Sequence, residues 1–116
     1  MNRKHRIVRE TDFKRVRDEG KSIAHPLIVL ITADGTAETS RAGIITSKSI
    51  GKAAQRNRVR RQLRAILSSL MPKLKGNVDM IIIARKAILN AEFCDIRKAV
   101  VQLLVREKYL EENDHT

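Results

Sequence analysis

Apolar residues return every three or four positions from Val59 to Leu74, at Val59, Leu63, Ile66, Leu67, Leu70 and Leu74. That period predicts a long amphipathic helix, which Pro72 and then Gly76-Asn77 bring to an end. Phe93, Ile96, Val100, Leu103 and Leu104 repeat the pattern further on. Asn90 is placed to cap this last helix, with Glu92 in its first turn. A shorter helix is predicted from Thr11, as its cap, to Glu19, with Asp12 in the first turn. Phe13 and Val16 share one face, Arg17 lies one turn beyond Phe13, and Gly20 stops the helix.

The remaining apolar runs read as strands. Lys21 to Ala33 is divided by Pro26 into an edge piece, Ser22 to His25, and a stronger run, Leu27 to Thr32. Alternation sends Leu27, Val29 and Ile31 to one face and Ile28 and Leu30 to the other, so both faces should be covered. Ala33-Asp34-Gly35-Thr36 is a turn signal, followed by a polar, mobile loop through Ser40. Arg41 to Ser47 is the next strand, and the short connection suits a hairpin with the one before it. Asp79 to Arg85 reads as a central, buried strand. The order is helix, three strands, long helix, strand, helix. A strand–helix–strand passage implies a parallel pair. The economical packing is an α/β (α+β) sandwich with the two longer helices on one face of a mixed sheet.

Length and charge then narrow the class. The 116 residues suit a single domain over 1–116, with a basic arm at 1–10 and a flexible tail at 111–116. A net charge of +11 calls for a polyanion, nucleic acid first. No apolar run is long enough to span a bilayer and no signal pattern opens the chain, so a cytoplasmic protein is expected. The aromatics are Phe13, Phe93 and Tyr109, too few for a base-stacking platform. The lone Cys94 excludes an internal disulfide and a cysteine-based zinc cage, and is read as a small helix residue. His5, His25 and His115 are scattered and suggest no metal site.

The distribution of charge is more telling than its total. From Thr39 to Val78 there is no Asp or Glu, yet the window holds Arg41, Lys48, Lys52, Arg56, Arg58, Arg60, Arg61 and Arg64. On a helical wheel Asn57, Arg61 and Arg64 fall opposite the apolar stripe, with Arg58 and Arg60 beside them. Arg56 projects near the stripe, beyond the edge of the core. Cations at a helix N-terminus oppose its dipole, at about 0.3–1 kcal/mol each. A bound phosphate would reverse that sign. A solvated charged face and a nucleic-acid interface both fit the composition. The choice of arginine over lysine favours forked contacts to phosphate. Base readout in a major groove would want a second helix in a helix-turn-helix, which the pattern does not supply.

The run GKAAQRNRVRRQLR, preceded by Gly43-Ile44-Ile45-Thr46-Ser47-Lys48, resembles the signature of the bacterial ribonuclease P protein subunit. Asp12-Phe13, Gly20-Lys21-Ser22, Asp79 and Ile81-Ile82-Ile83-Ala84-Arg85 extend the resemblance over nearly the whole chain. It implies an α/β sandwich with a left-handed strand–helix–strand crossover, against the usual hand. It implies removal of the 5′ leader from precursor tRNA, with the ribonuclease P RNA performing the chemistry through Mg²⁺ that it and the substrate hold. By position, contacts to the catalytic RNA fall to Lys52, Arg56, Asn57, Arg58, Arg60, Arg61 and Arg64. The leader-binding cleft falls to Phe13, Arg17, Val29 and Ile31, with Lys48 in the loop before the basic helix.

The chain departs from the family pattern in places. Arg17 stands where a second aromatic is common, Lys48-Ser49 replaces a lysine pair, and Leu27 to Thr32 lacks an aromatic. A cleft relying more on charge and less on stacking is expected. No carboxylate cluster or paired histidine suggests a protein nuclease. The alternatives are a ribosomal or RNA-assembly protein that binds structured RNA without an enzymatic role, and a DNA-binding regulator.

Overall fold

A computed structural model describes residues 3–112. Three helices and four strands run in the order α1 (Glu10–Glu19), β1 (Lys21–Ala24), β2 (Ile28–Asp34), β3 (Arg41–Ile45), α2 (Ala53–Leu70), β4 (Val78–Ala84) and α3 (Phe93–Arg106). Short 3₁₀ turns occupy Arg3–His5, Lys48–Ile50, Met71–Lys73 and Lys86–Asn90. No described helix is long and apolar enough to cross a membrane.

The sheet order is β1-β2-β4-β3. β1 and β2 are antiparallel, as are β2 and β4, while β3 and β4 are parallel. The parallel pair across α2 is as expected, but the β2–β3 hairpin is not formed. β4 is buried along almost its whole length, on both faces. Such a strand needs a neighbour on each side, so it inserts between β2 and β3. The intervening loop then crosses the end of β4 and is tied down rather than mobile. Ser40 Oγ donates to Gly76 O at 3.1 Å and accepts from Val78 N–H at 3.0 Å. Asn77 Nδ2 donates to Ala37 O at 2.9 Å.

The large core lies on one face, where Leu30, Met80 and Ile82 meet Val59, Leu63, Ile66, Leu67 and Leu70 of α2 and Ile96, Val100, Leu103 and Leu104 of α3. Each apolar residue predicted for the α2 stripe from Val59 to Leu70 is buried, and Leu74 packs just beyond the helix end. The other face carries a smaller core of Ile7, Val16, Ile31 and Ile81 beneath α1.

Several boundaries differ from expectation. α1 starts at Glu10, with Arg9 at the N-cap and no side-chain cap. The cause lies upstream. Ile7 is buried and its N–H donates to Ala42 O at 3.0 Å, so the supposed arm is docked along β3 and turns into the helix early. Gly20 ends α1 with φ at −77°, outside the left-handed region. Its role is close approach: a Cβ would lie 2.6 Å from Ile31 Cγ2 and 2.9 Å from Thr32 O. Asn90 ends a 3₁₀ turn, and Glu92 takes the N-cap of α3. Phe93 is 44% exposed, because the first residue of α3 precedes the point where that helix reaches the core. Residues 113–116 of the supposed tail lie outside the described residues, and Glu111, within them, pairs with Lys75.

Candidate nucleic-acid interface

α2 begins where the chain leaves β3 through the Lys48–Ile50 turn. Gln55 Oε1 reaches back to accept the Lys52 N–H at 2.8 Å. Gly51 makes room for it, since a Cβ there would lie 2.4 Å from that oxygen. This is half of a capping box. The other half would need an acceptor on Lys52, and lysine has none. The first N–H groups of α2 therefore have no side-chain cap and are left open to an outside acceptor.

Lys52, Asn57, Arg58, Arg61 and Arg64 are exposed, and Arg56 and Arg60 are half-buried. Arg60 Nη1 donates to Asn57 Oδ1 at 2.7 Å, which leaves the Asn57 amide N–H groups as its free donors. Arg56 Nε is buried without a hydrogen-bond partner, in keeping with its phase at the edge of the stripe. Among the described residues, none of Lys52, Arg56, Arg58, Arg60, Arg61 or Arg64 forms an ion pair. Helix, dipole and side chains thus present positive charge with no internal counterpart.

The second candidate surface is on the opposite face of the sheet. Cross-strand register arranges that face in rows: Ala33–Asp79–Arg41, then Ile31–Ile81–Gly43, then Val29–Ile83–Ile45. α1 covers the first two. The Phe13 ring lies over Gly43, where a Cβ would sit 2.4 Å from Cε1 and 2.5 Å from Cζ. The third row is only half-buried. Beside it runs an open groove of about 790 Å³, lined by Val8, Glu10, Thr11, Phe13, Lys14, Arg17, Asp18 and Ile45. Phe13 and Arg17 are therefore brought together as expected. Val29 belongs to the half-exposed row but does not line the groove, and Ile31, at 7% exposure, is core beneath α1. Lys48 is exposed on the turn after β3 and does not line the groove. Glu10 and Asp18 offset Lys14 and Arg17, so the groove is less basic than its sequence suggested.

The sequence reading missed an ionic cluster beneath α1. Asp79 is fully buried. Arg41 grips it as a fork, Nε to Oδ1 at 3.1 Å and Nη2 to Oδ2 at 2.8 Å. Arg15 Nη2 donates to the same Oδ2, and Arg15 Nη1 donates to Asp34 O at 3.2 Å. Arg41 also reaches Asp12 Oδ2 at 3.4 Å and Thr36 Oγ1 at 3.2 Å. Burial by itself pushes the Asp79 carboxyl up. Hydrogen bonds and charge from Arg41, then from Arg15, outweigh it and hold the group below its ordinary value. The hydrogen bond to Asp79 raises Arg41, against burial. Arg41 is thus not part of the uncompensated charge. A lone carboxylate in the apolar run from Val78 to Ala84 was the available signal, since a buried charge requires a partner.

Comparison with known proteins places these surfaces in context. The family model for ribonuclease P matches residues 1–108. The chain belongs to the ribonuclease P protein family. It is 38% identical to the ribonuclease P protein component of Herpetosiphon aurantiacus over 104 residues, 90% of this chain and 85% of that one. It is 37% identical to that of Clostridioides difficile over 107 residues, 91% of this chain and 94% of that one. The RNase P protein structure from Staphylococcus aureus superposes with a TM-score of 0.83 at 27% identity, covering 92% of this chain and 98% of that one. The Thermotoga maritima protein gives 0.78 at 28%, covering 87% and 96%.

Membership of the ribonuclease P family decides against a ribosomal or DNA-regulatory protein and implies the ribonuclease P RNA as partner. Both surfaces reach the rim of the sheet where β3 ends, the groove at Ile45 and α2 through the Lys48–Ile50 turn. β3 and β4 run parallel, and their C-terminal ends carry Lys48 and Lys52 on one side and Arg85 and Lys86 on the other. The α2 face and the groove open from opposite sides of that rim. Among the described residues, no group of three or more His, Cys, Asp or Glu is placed to hold a metal ion.

Proposed function

We propose that the chain is the accessory protein of a ribonuclease P ribonucleoprotein, binding the catalytic RNA through α2 and the 5′ leader of precursor tRNA in the groove under α1. The observation that carries the reading is the set of arginines on α2 that have no carboxylate partner within the described chain. Phosphates supply the missing charge. Lys52, Arg56, Arg58, Arg60, Arg61 and Arg64 form the phosphate-binding arc, with Asn57 orienting Arg60 and offering its own amide. Phe13 supplies a ring face at the groove, Arg17 a guanidinium beside it and Ile45 an apolar floor, with Val29 further along the same half-buried row. Lys48 stands at the rim between the two RNAs.

Bond cleavage belongs, in this reading, to the RNA subunit. Mg²⁺ would be held by that RNA and the substrate rather than by side chains of this chain, and there it would activate water and stabilise the leaving oxygen. The protein positions the leader and neutralises backbone repulsion between two RNAs. It works in the cytoplasm, where tRNA is processed. The test is reconstitution with a bacterial ribonuclease P RNA at low Mg²⁺, measuring leader removal. Clear stimulation over RNA alone is expected, and cleavage no faster than with RNA alone would overturn the proposal.

A further inference from the structure

We propose that Asp79 is a positioning residue for the groove: through Arg15 and Asp12 it fixes where α1 stands over the sheet, and so fixes Phe13 and Arg17 against the groove floor. The inference rests on reading that groove as the leader site. α1 is a weak element by itself. It has 10 residues, no side-chain N-cap and one fully buried side chain, Val16. A helix that short does not hold itself together in water. Its place on the sheet depends on what grips it.

Two anchors do so, on adjacent rows of the sheet. One is apolar, with Val16 and Phe13 against Ile31 and Ile81. Apolar contact is non-directional and tolerates sliding. The other is the ionic cluster, and it is directional. The buried Asp79 carboxylate receives Arg41 as a fork and Arg15 from α1, while Arg41 also reaches Asp12 one helical turn before Arg15. Arg15 and Asp12 thus pin the same face of α1 at two points. Arg15 Nη1 and Thr36 extend the hold to the end of β2 and the loop after it. The groove floor at Ile45, on the row Val29–Ile83–Ile45, lies two rows from Asp79. A shift of α1 along or across the strands would alter the gap between Phe13 and that floor directly. Two acids, Asp12 and Asp79, balance two arginines, so the cluster adds no net charge to the groove. A buried ion pair is a poor way to gain stability and a good way to fix register.

The experiment uses the reconstituted ribonucleoprotein. Affinity is measured for precursor tRNA and for mature tRNA, and their ratio isolates the leader. Asp79→Asn should lower that ratio by about ten-fold while binding of the protein to the ribonuclease P RNA stays within about two-fold of wild type. If Asp79→Asn does not fold, Arg15→Met carries the test, because Arg41 still neutralises Asp79; it should lower the ratio in the same direction. Phe13→Ala is measured alongside. If Phe13→Ala lowers the ratio and the folded cluster variant does not, Asp79 has no positioning role. If neither changes it, the groove is not the leader site, and both readings fall.

Discussion

Arg41 and Arg61 lie in the same acid-free stretch of sequence, yet the fold treats them in opposite ways. Arg41 is forked onto a fully buried carboxylate and shares Arg15 and Asp12 as neighbours. Arg61, with Arg56, Arg58, Arg60 and Arg64, pairs with no acid among the described residues. The first group is neutral as a set and belongs to the architecture. The second is unbalanced and is the set proposed to meet RNA. Local sequence charge does not separate them. What separates them is whether the fold brings a carboxylate within reach.

The largest effect expected is on the paired side. Asp79→Asn leaves two guanidinium groups facing a buried neutral amide, and stability should fall by about 3 kcal/mol. Urea unfolding at neutral pH measures it. A loss below about 1 kcal/mol would mean that the arginines rehydrate freely, and that they differ little from those on α2. Next comes the unpaired side. Replacing Arg56, Arg58 and Arg61 together with Gln should leave stability within about 0.5 kcal/mol of wild type. Affinity for the ribonuclease P RNA should fall by about a hundred-fold, and the slope of log K against log salt should change from about −5 to about −3. An unchanged slope would make the arginine face solvated surface. Unfolding of this variant would move it to the paired class.

How far these classes were legible from sequence depends on sequence separation. The α2 stripe was readable because its period is local, and with it the outward arc of arginines. The parallel β3–β4 pair followed from the length of the crossover. The Asp79 cluster was not readable, because Arg41 and Asp79 lie 38 positions apart and meet only through the register of the β3–β4 pair, which its expected parallel sense does not fix. A β2–β3 hairpin was the local expectation, and it would have taken β2, with Asp34, away from β4. The unread register concealed the clamp and left Arg41 counted as free. Likewise Ile31 has the right alternation for a groove floor, but the row it occupies lies beneath α1. Phe93 fits a helical stripe by spacing and misses the core because the helix begins at that residue.

A smaller effect tests the cluster through pH. Asp79 is held below its ordinary value in the folded chain. Its contribution is therefore fully present above the unfolded carboxylate pKa of about 3.9, and is lost as pH falls through the lower folded value. The gap in stability between wild type and Asp79→Asn should be constant from pH 7 to about pH 5 and should narrow below about pH 4. A gap that narrowed between pH 7 and 5 would point to another titrating group.

The smallest effect asks whether α2 excludes acids for folding or for function. Ala54 is exposed in the first turn of α2, and the helix has no acidic residue there. Folding alone favours an acid at this point, since carboxylate complements the helix dipole and the N–H groups that lack a side-chain cap. Ala54→Glu should therefore raise stability by about 0.3–1 kcal/mol at low salt. The same carboxylate would sit beside Lys52 and Arg58, where RNA phosphate is proposed to bind, and would repel it. RNA affinity should fall several-fold at low salt, and the loss should shrink as salt screens the repulsion. Urea midpoints and RNA titrations on one preparation measure both. A more stable variant with unchanged affinity would make the acid-free run incidental to RNA. A gain in stability with a loss in affinity would show α2 holding its N-terminus in a form that folding does not favour and phosphate does.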